Sequence, residues 1–378
     1  MLELIERSHK RVFSLIRLQR NVSGADLARQ TELQPSSLVY ILRFLKEKNL
    51  IKKSGYGKST QKGGKRPIMW EVNPFYGNIV GLEVMRRAIR AVIVDMAGNV
   101  ILKVEKEFKP GKPEKTVLRI QKIIAELIHE SGMKRNQLHS ISIAVPGLVN
   151  PHSQQVIYSS TLNFYDFDLK SPMEKEFGIP TTIINDANAG VLGEQWFSKD
   201  YGSVSNMLYV MYNPKARGLG LGVFLNHKLY TGSNGLAGEF FSNLPFLEVI
   251  ITNAIQKTPA SEILISTADV AGIQVSELYS YLKRGCPLCS QVVKELSRQV
   301  AIEISKITGL FDPDKIILGG ELSICEDLCC NEINSVLINL LVESYPFTIR
   351  APNVEYAHQK AFSAAIGATA LYLAQALD

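Results

Sequence analysis

The sequence predicts an α/β protein with a small basic head of helices and a hairpin, followed by a body of two α/β lobes. Three observations predict it. The 378 residues exceed one ordinary domain and suit two or three. Charge is unevenly spread: residues 1–73 hold fifteen Lys/Arg against six Asp/Glu, a net +9, and the remainder is slightly acidic at −3. Beyond residue 74 the order of strands and helices runs once and then starts again near Asn206. The expected domains are 1–73, 74–195 and 196–378.

The head reads as helix, turn, helix, hairpin. Residues 8–19 form a helix through Val12, Leu15, Ile16 and Leu18, with mostly basic exposed positions. Ser23 is placed to cap the next helix, with Asp26 at the capping-box position. A short turn at Thr31-Glu-Leu-Gln34 precedes Pro35, which suits the first helical position. Leu38, Ile41, Leu42 and Leu45 then recur at helical spacing as a buried stripe. Residues 50–54 and 67–72 read as strands around the Gly-rich, basic loop Gly55-Tyr-Gly-Lys-Ser-Thr-Gln-Lys-Gly-Gly-Lys-Arg66. This is a winged helix-turn-helix pattern. Gln34, Ser36, Ser37, Val39 and Tyr40 lie off the apolar stripe and can reach base edges. Arg43, further along, is expected at phosphate, and Lys58, Lys62, Lys65 and Arg66 form a basic wing. The expected partner is double-stranded operator DNA, and a two-fold operator implies a homodimer or higher homo-oligomer.

Asn73-Pro74 ends the head as a hinge. Strands follow at 79–84, 88–95 and 100–108, then a helix at 113–130 with Val117, Ile120, Ile123, Ile124 and Leu127 on one face. A buried strand at 139–145 ends in Pro146-Gly147, and another at 181–185 runs into a helix at 187–197. The second round has strands at 206–212, 218–225 and 228–230 and helices at 246–256, 276–283 and 289–310. A buried strand at 314–320, a further helix, a strand at 353–357 and a last helix from Ala364 complete it. Two such copies describe paired α/β lobes with a cleft between them.

Composition excludes several classes. No stretch of about 18 apolar residues could span a membrane. Met1-Leu-Glu-Leu-Ile-Glu lacks a signal-peptide pattern, so a cytoplasmic location is expected. Five cysteines, at 286, 289, 325, 329 and 330, argue for reduced thiols rather than a disulfide framework. Cys286 and Cys289 have zinc-ligand spacing, but no second CxxC or His pair accompanies them, so buried hydrophobes are expected.

Several segments, in order, give the chain its resemblance to the ROK family of repressors and sugar kinases. They are Gly64-Lys65-Arg66-Pro67, Ala144-Val-Pro-Gly-Leu-Val149, Ile184-Asn-Asp-Ala-Asn188 with Gly193-Glu194, Ala237-Gly-Glu239 and Ile317-Leu-Gly-Gly320. The likeness spans nearly the whole chain and implies the family's repressor branch. That branch places a winged helix before an actin-like ATPase body of the hexokinase type. By this resemblance Asn185, Asp186, Glu239 and Glu248 bind hydroxyls of a small sugar or sugar derivative, and Gly147 and Asn163 line the pocket.

Four departures from the family's kinases bear on chemistry. Their Asp-x-Gly-Gly-Thr phosphate loop is Glu83-Val-Met-Arg-Arg87 here, with side chains where backbone amides would approach phosphate. The second loop, Gly-Thr-Gly-Ile-Gly in kinases, is Ala216-Arg217-Gly218-Leu219-Gly220. Ser242 replaces a sugar-binding His, and Asn243-Leu-Pro245 is too short for the family's zinc cluster. The expectation is a sugar-responsive DNA-binding regulator without cofactor, metal or catalytic residue. The alternative is an ATP-dependent sugar kinase with a regulatory head, in which Asp186 is the base.

Overall fold

The computed structural model describes residues 7–58, 66–197, 204–213, 218–259, 275–344 and 350–377. Lys62 and Lys65 of the wing, and Lys215, Ala216 and Arg217 of the second loop, lie outside them. Packing divides the chain into two bodies. One holds residues 1–147, 154–184 and 368–378, and the other 148–153 and 185–367.

The first body begins with α1 (Arg7–Gln19), β1 (Val22–Ser23), α2 (Gly24–Thr31), α3 (Pro35–Glu47), β2 (Ile51–Tyr56) and β3 (Ile68–Val72). Val12, Phe13, Ile16, Leu27, Leu38, Ile41 and Leu45 close a small core. Ser23 caps α2 as expected: its Oγ accepts the Asp26 amide at 3.1 Å and donates to the Asp26 carboxylate at 2.6 Å. The strands form a sheet in the order β1-β3-β2, with Val22 opposite Trp70. Two residues were too few for β1 to show as periodicity.

The expected hinge at Asn73-Pro74 is instead a packed joint. A 3-10 turn spans Pro74–Tyr76, and the Asn73 amide side chain donates to the Asn49 carbonyl at 2.9 Å. Tyr76 stacks on His139 with ring centroids 4.8 Å apart. The backbone of Gly77 is extended, but any side chain there would overlap the His139 imidazole.

The same body continues with β4 (Asn78–Val84), β5 (Ala88–Asp95), β6 (Val100–Glu107), α4 (Pro113–Ser131) and β7 (Leu138–Val145). After β8 (Leu148–Val149), which belongs to the other body, come β9 (Val156–Ser159), β10 (Phe164–Phe167), α5 (Lys170–Phe177) and β11 (Thr181–Asn185). The main sheet has the order β11-β7-β4-β5-β6, with β4 parallel to β7 and antiparallel to β5. β4 is buried along its whole length, as a central strand covered on both faces should be. Pro113 opens α4, Gly132 ends it in the left-handed conformation, and Val117, Ile120, Ile123, Ile124 and Leu127 face inward.

The second body holds α6 (Asp186–Phe197), β12 (Met207–Asn213), β13 (Gly218–Leu225), β14 (Lys228–Leu229), β15 (Glu239–Phe240), α7 (Leu247–Lys257) and α8 (Val275–Lys283). It continues with α9 (Pro287–Phe311), β16 (Lys315–Gly319), α10 (Glu326–Ser344), β17 (Asn353–Tyr356) and the start of α11 (Ser363–Leu377). Its sheet runs β14-β13-β12-β16-β17, with β15 added beside β13. Leu208 and Val210 of the sheet pack with Val292, Leu296, Val300 and Ile304 of α9. All five cysteines are free and buried, as the small hydrophobes expected. Among the described residues no group of His, Cys, Asp and Glu is placed to hold a metal ion. No described helix is long and apolar enough to cross a membrane.

In the packing the second body resumes at Asn185, so its edge lies eleven residues before the border read after residue 195. α6 goes with the second sheet because glycines let it lie close. A side chain on Gly222 would overlap the Ala187 carbonyl, and one on Gly190 would overlap the Tyr209 ring. The chain's end, from Ala368, is counted with the first body. The winged head is counted with that body too.

Candidate functional site

The head presents one surface with its side chains outward. Pro35 starts α3, and Leu38, Ile41, Leu42 and Leu45 turn inward, which leaves the opposite face free. Gln34, Ser36, Ser37 and Arg43 are exposed, and Val39 and Tyr40 are 66% and 64% exposed. Gln34 makes no side-chain cap, so its amide is not committed to the helix. Arg43 is held by Glu47 at 2.8 Å on the next turn. Lys58 and Arg66, at the two feet of the wing, are exposed. Every described residue expected at DNA therefore lies on the surface, and the recognition positions share one helix start.

In the second body, β11 hands Asn185 and Asp186 to the start of α6. Asn185 Oδ1 accepts the Asn188 amide at 3.0 Å, and Asp186 Oδ1 accepts the Ala187 amide at 2.9 Å. Both side chains thus satisfy helix amides that would otherwise be orphaned. Glu239 pairs in register with Gly220 of β13, and a side chain on Gly220 would touch Ala187 Cβ at 3.7 Å. The strand pairing brings Glu239 to Asp186, though the two are 53 residues apart in sequence. Burial raises the Asp186 pKa to about 7; the Ala187 amide pulls it down and the Glu239 charge pushes it up. Partial burial raises Glu239 as well, although this residue keeps an exposed face.

The remaining expected residues are spread more widely. Glu248 sits in the first turn of α7, where with Glu321 it acts on the buried Tyr212 hydroxyl. Its charge is not among those that shift Asp186. Gly147 and Asn163 belong to the first body. Gly147 has a φ of 107°, and a side chain on it would overlap the Tyr158 carbonyl. Asn163, at a φ of 56°, donates its side-chain amide to the Gly111 carbonyl at 3.3 Å and lines a groove with Arg86 and Arg87.

Two residues gain importance from the structure. Asn188 is buried two residues along α6 from Asp186, and its Oδ1 has no hydrogen-bond partner among the described residues. It closes the Ile184–Asn188 motif, in which the sequence alone assigns it no separate role. Glu194 is buried, accepts the His358 amide at 2.8 Å, and burial raises it to about 7. Its role is to fasten α6 to the segment after β17.

The phosphate loop is rebuilt as a plain hairpin. Met85 donates to the Ala88 carbonyl at 2.9 Å, and Arg86 and Arg87 form the exposed two-residue turn. Glu83, where the kinases have Asp, is buried against Arg90 at 3.6 Å; Arg90 also binds Glu105 at 2.7 Å. That carboxylate is engaged in an internal ion pair.

A winged-helix head on a body of the sugar-kinase type defines a class of sugar-linked regulators and kinases. The chain belongs to the ROK family, whose profile matches residues 79–241 and 251–375. A xylose repressor of Caldicellulosiruptor bescii is 27% identical over 343 residues, covering 84% of this chain and 83% of that one. The xylose repressor of Bacillus subtilis is 31% identical over 222 residues, 58% of this chain and 55% of that one. The DNA-binding transcriptional dual regulator NagC of Escherichia coli is 25% identical over 374 residues, 93% of this chain and 90% of its own.

Solved structures agree on the fold. A ROK family glucokinase from Streptomyces griseus, in complex with glucose and AMPPNP, superposes with a TM-score of 0.69 at 22% identity. That match covers 78% of this chain and 99% of that one. A ROK family transcriptional regulator, a homolog of the E. coli MLC protein, superposes with a TM-score of 0.73 at 19% identity, over 98% of this chain and 96% of that one. The kinase leaves part of this chain unmatched; the regulator matches nearly all of it. With the head in place, the chain falls in the repressor branch of the family.

Proposed function

We propose that this protein is a sugar-responsive, DNA-binding transcriptional repressor. The observation that carries the reading is a pair of features in one chain. An uncommitted recognition face on α3 is joined to a ROK body whose first phosphate loop is a two-residue arginine turn. The N-terminal residues of α3 enter the major groove, and Lys58, Lys62, Lys65 and Arg66 grip backbone from the wing. Asp186 and Glu239 accept hydrogen bonds from adjacent hydroxyls of a neutral sugar. Xylose and N-acetylglucosamine are the first candidates, because the repressors it resembles are named for them. The working unit on DNA is a homodimer. Sugar and DNA weaken each other's binding by one common factor, typically about 5–150-fold.

The test is binding of the purified full-length protein to its own upstream DNA, titrated with a panel of monosaccharides in the absence of ATP. A specific complex that one sugar dissolves is the expected result. Specific binding that no sugar shifts would reduce the body to an assembly unit. ATP consumption with a sugar, abolished by Asp186→Asn, would return the kinase reading.

A further inference from the structure

The turn that follows β15 holds an aromatic side chain beside the carboxylate pair. Phe241 is 97% exposed, the most open of the large apolar side chains among the described residues. Its neighbours fix its position. Phe240 lies opposite Leu219 of β13 and packs against the core of the second body. Successive side chains of an extended segment point to opposite sides, so Glu239 and Phe241 both point away from that core. The Ser242 amide donates to the Phe240 carbonyl at 2.9 Å, a three-residue turn with Phe241 at its apex. Leu244 is then buried and ties the chain down again.

The approach to Glu239 from the other side is tethered as well. Its amide donates to the Leu236 carbonyl at 3.1 Å, and the Gly238 carbonyl accepts the Leu221 amide at 3.0 Å. Gly238 has a φ of 94°, and a side chain there would overlap the Leu221 carbonyl. Leu236 is itself exposed. Glu239 is thus flanked along the chain by two exposed apolar side chains, Leu236 and Phe241. Residues 231–246 contain no Lys, Arg or His that could draw an anion to this segment. The family resemblance gives Glu239 a role and gives Phe241 none.

A pyranose carries hydroxyls on its edge and C–H groups on its faces. Carboxylates read the edge, and an aromatic ring covers a face by dispersion and exclusion of water. A few polar groups set among apolar ones is the usual composition of a small-molecule site. Two residues of extended chain carry Phe241 about 6.6 Å beyond Glu239. That is the place of a neighbouring ring rather than of the ring whose hydroxyls the carboxylates grip. We infer that Phe241 forms a second sugar subsite, stacking on the second pyranose ring of a disaccharide or longer glycoside whose first ring is held by Asp186 and Glu239. The inference rests on the sugar-binding reading of those two carboxylates and narrows the effector from free monosaccharides to glycosides.

The experiment uses the full-length protein without DNA or ATP. Three pairs are titrated by calorimetry: xylose and xylobiose, glucose and cellobiose, N-acetylglucosamine and N,N′-diacetylchitobiose. The expected result is that one disaccharide binds at least tenfold tighter than its own monosaccharide. F241A should erase that gain, F241W should keep it, and Asp186→Asn should abolish binding of both members of the pair. Phe241 is exposed, so the unliganded melting temperature of F241A should match the parent's; F241Q, which keeps bulk without the aromatic face, is read in its place if it does not. A monosaccharide that binds as tightly as its disaccharide overturns the inference and leaves the sugar site standing. Disaccharide binding that ignores F241A and F241Q, or variants that weaken both members of a pair equally, overturn it too. If F241A alters the oligomeric state in sedimentation and leaves glycoside affinity unchanged, the ring belongs to a contact between copies and the subsite is refuted. If no sugar binds at all, the reading of Asp186 and Glu239 falls, and the subsite with it.

Discussion

The starts of two helices, α3 and α6, carry most of the proposed function, and they are built in opposite ways. At α3 the polar side chains point to solvent, and Gln34 makes no cap. At α6 the polar side chains are drawn in: Asn185 and Asp186 accept amides of their own helix, and burial shifts Asp186 to about 7. A helix that reads a macromolecule needs spare side chains on a convex face. A helix that reads a small molecule needs groups already fixed and partly dehydrated. The first can change at little cost to folding, while the second is tied to stability.

The largest effect expected of this contrast is at α3. Ser37→Glu puts a carboxylate against phosphate and base edges and should weaken operator binding by about 3 kcal/mol, over a hundredfold. Fluorescence anisotropy with labelled operator reads this, and the melting temperature should hold, because Ser37 is exposed. A large fall in melting temperature would break the comparison at its first term.

Next is Asp186→Asn. The carboxyl is raised from 3.8 to about 7, so between those values the folded state holds a proton that the unfolded chain has lost. Stability therefore falls as pH rises through that window and levels off above it. The variant escapes the loss: its advantage should grow from about pH 4 to pH 7 and reach about 1–2 kcal/mol, discounted for partial exposure. Denaturant melts at pH 5 and pH 8 test this, and the same variant should lose sugar-induced release of DNA. An advantage that does not change with pH would refute it.

Smaller still is Ser23→Ala, which removes the α2 cap and should cost about 1 kcal/mol of stability by denaturant melts. Operator affinity below the melting transition should be retained. Smallest is Arg43→Ala, worth about 0.5 kcal/mol. It should weaken specific and random DNA alike and lower the slope of log K against log salt by about 1. A change confined to the specific sequence would make Arg43 a reader of bases.

Much of the frame was legible because its signals are local. Leu38, Ile41, Leu42 and Leu45 mark α3, and Pro113 and the five apolar residues after it mark α4. Short elements carried too little pattern: β1 is two residues, and β9 and β10 are four each. Asp186 with Glu239 was readable as a family motif, but their meeting depends on Gly220 lying between strand pairing and helix, which is long-range. Glu248 shows the converse: the resemblance groups it with Asp186 and Glu239, while the group its charge acts on is the Tyr212 hydroxyl.

The packed joint after the head bears on modularity. Asn73, Tyr76, Gly77 and His139 form one lock, with three parts in the connecting segment and the fourth in β7 of the body. A chimera that grafts a foreign head onto this body keeps the lock if the cut lies before Asn73. If the cut lies after Gly77, it must import a partner for His139 as well. Exchangeable heads in such chains are therefore interchangeable only together with the few residues that follow them.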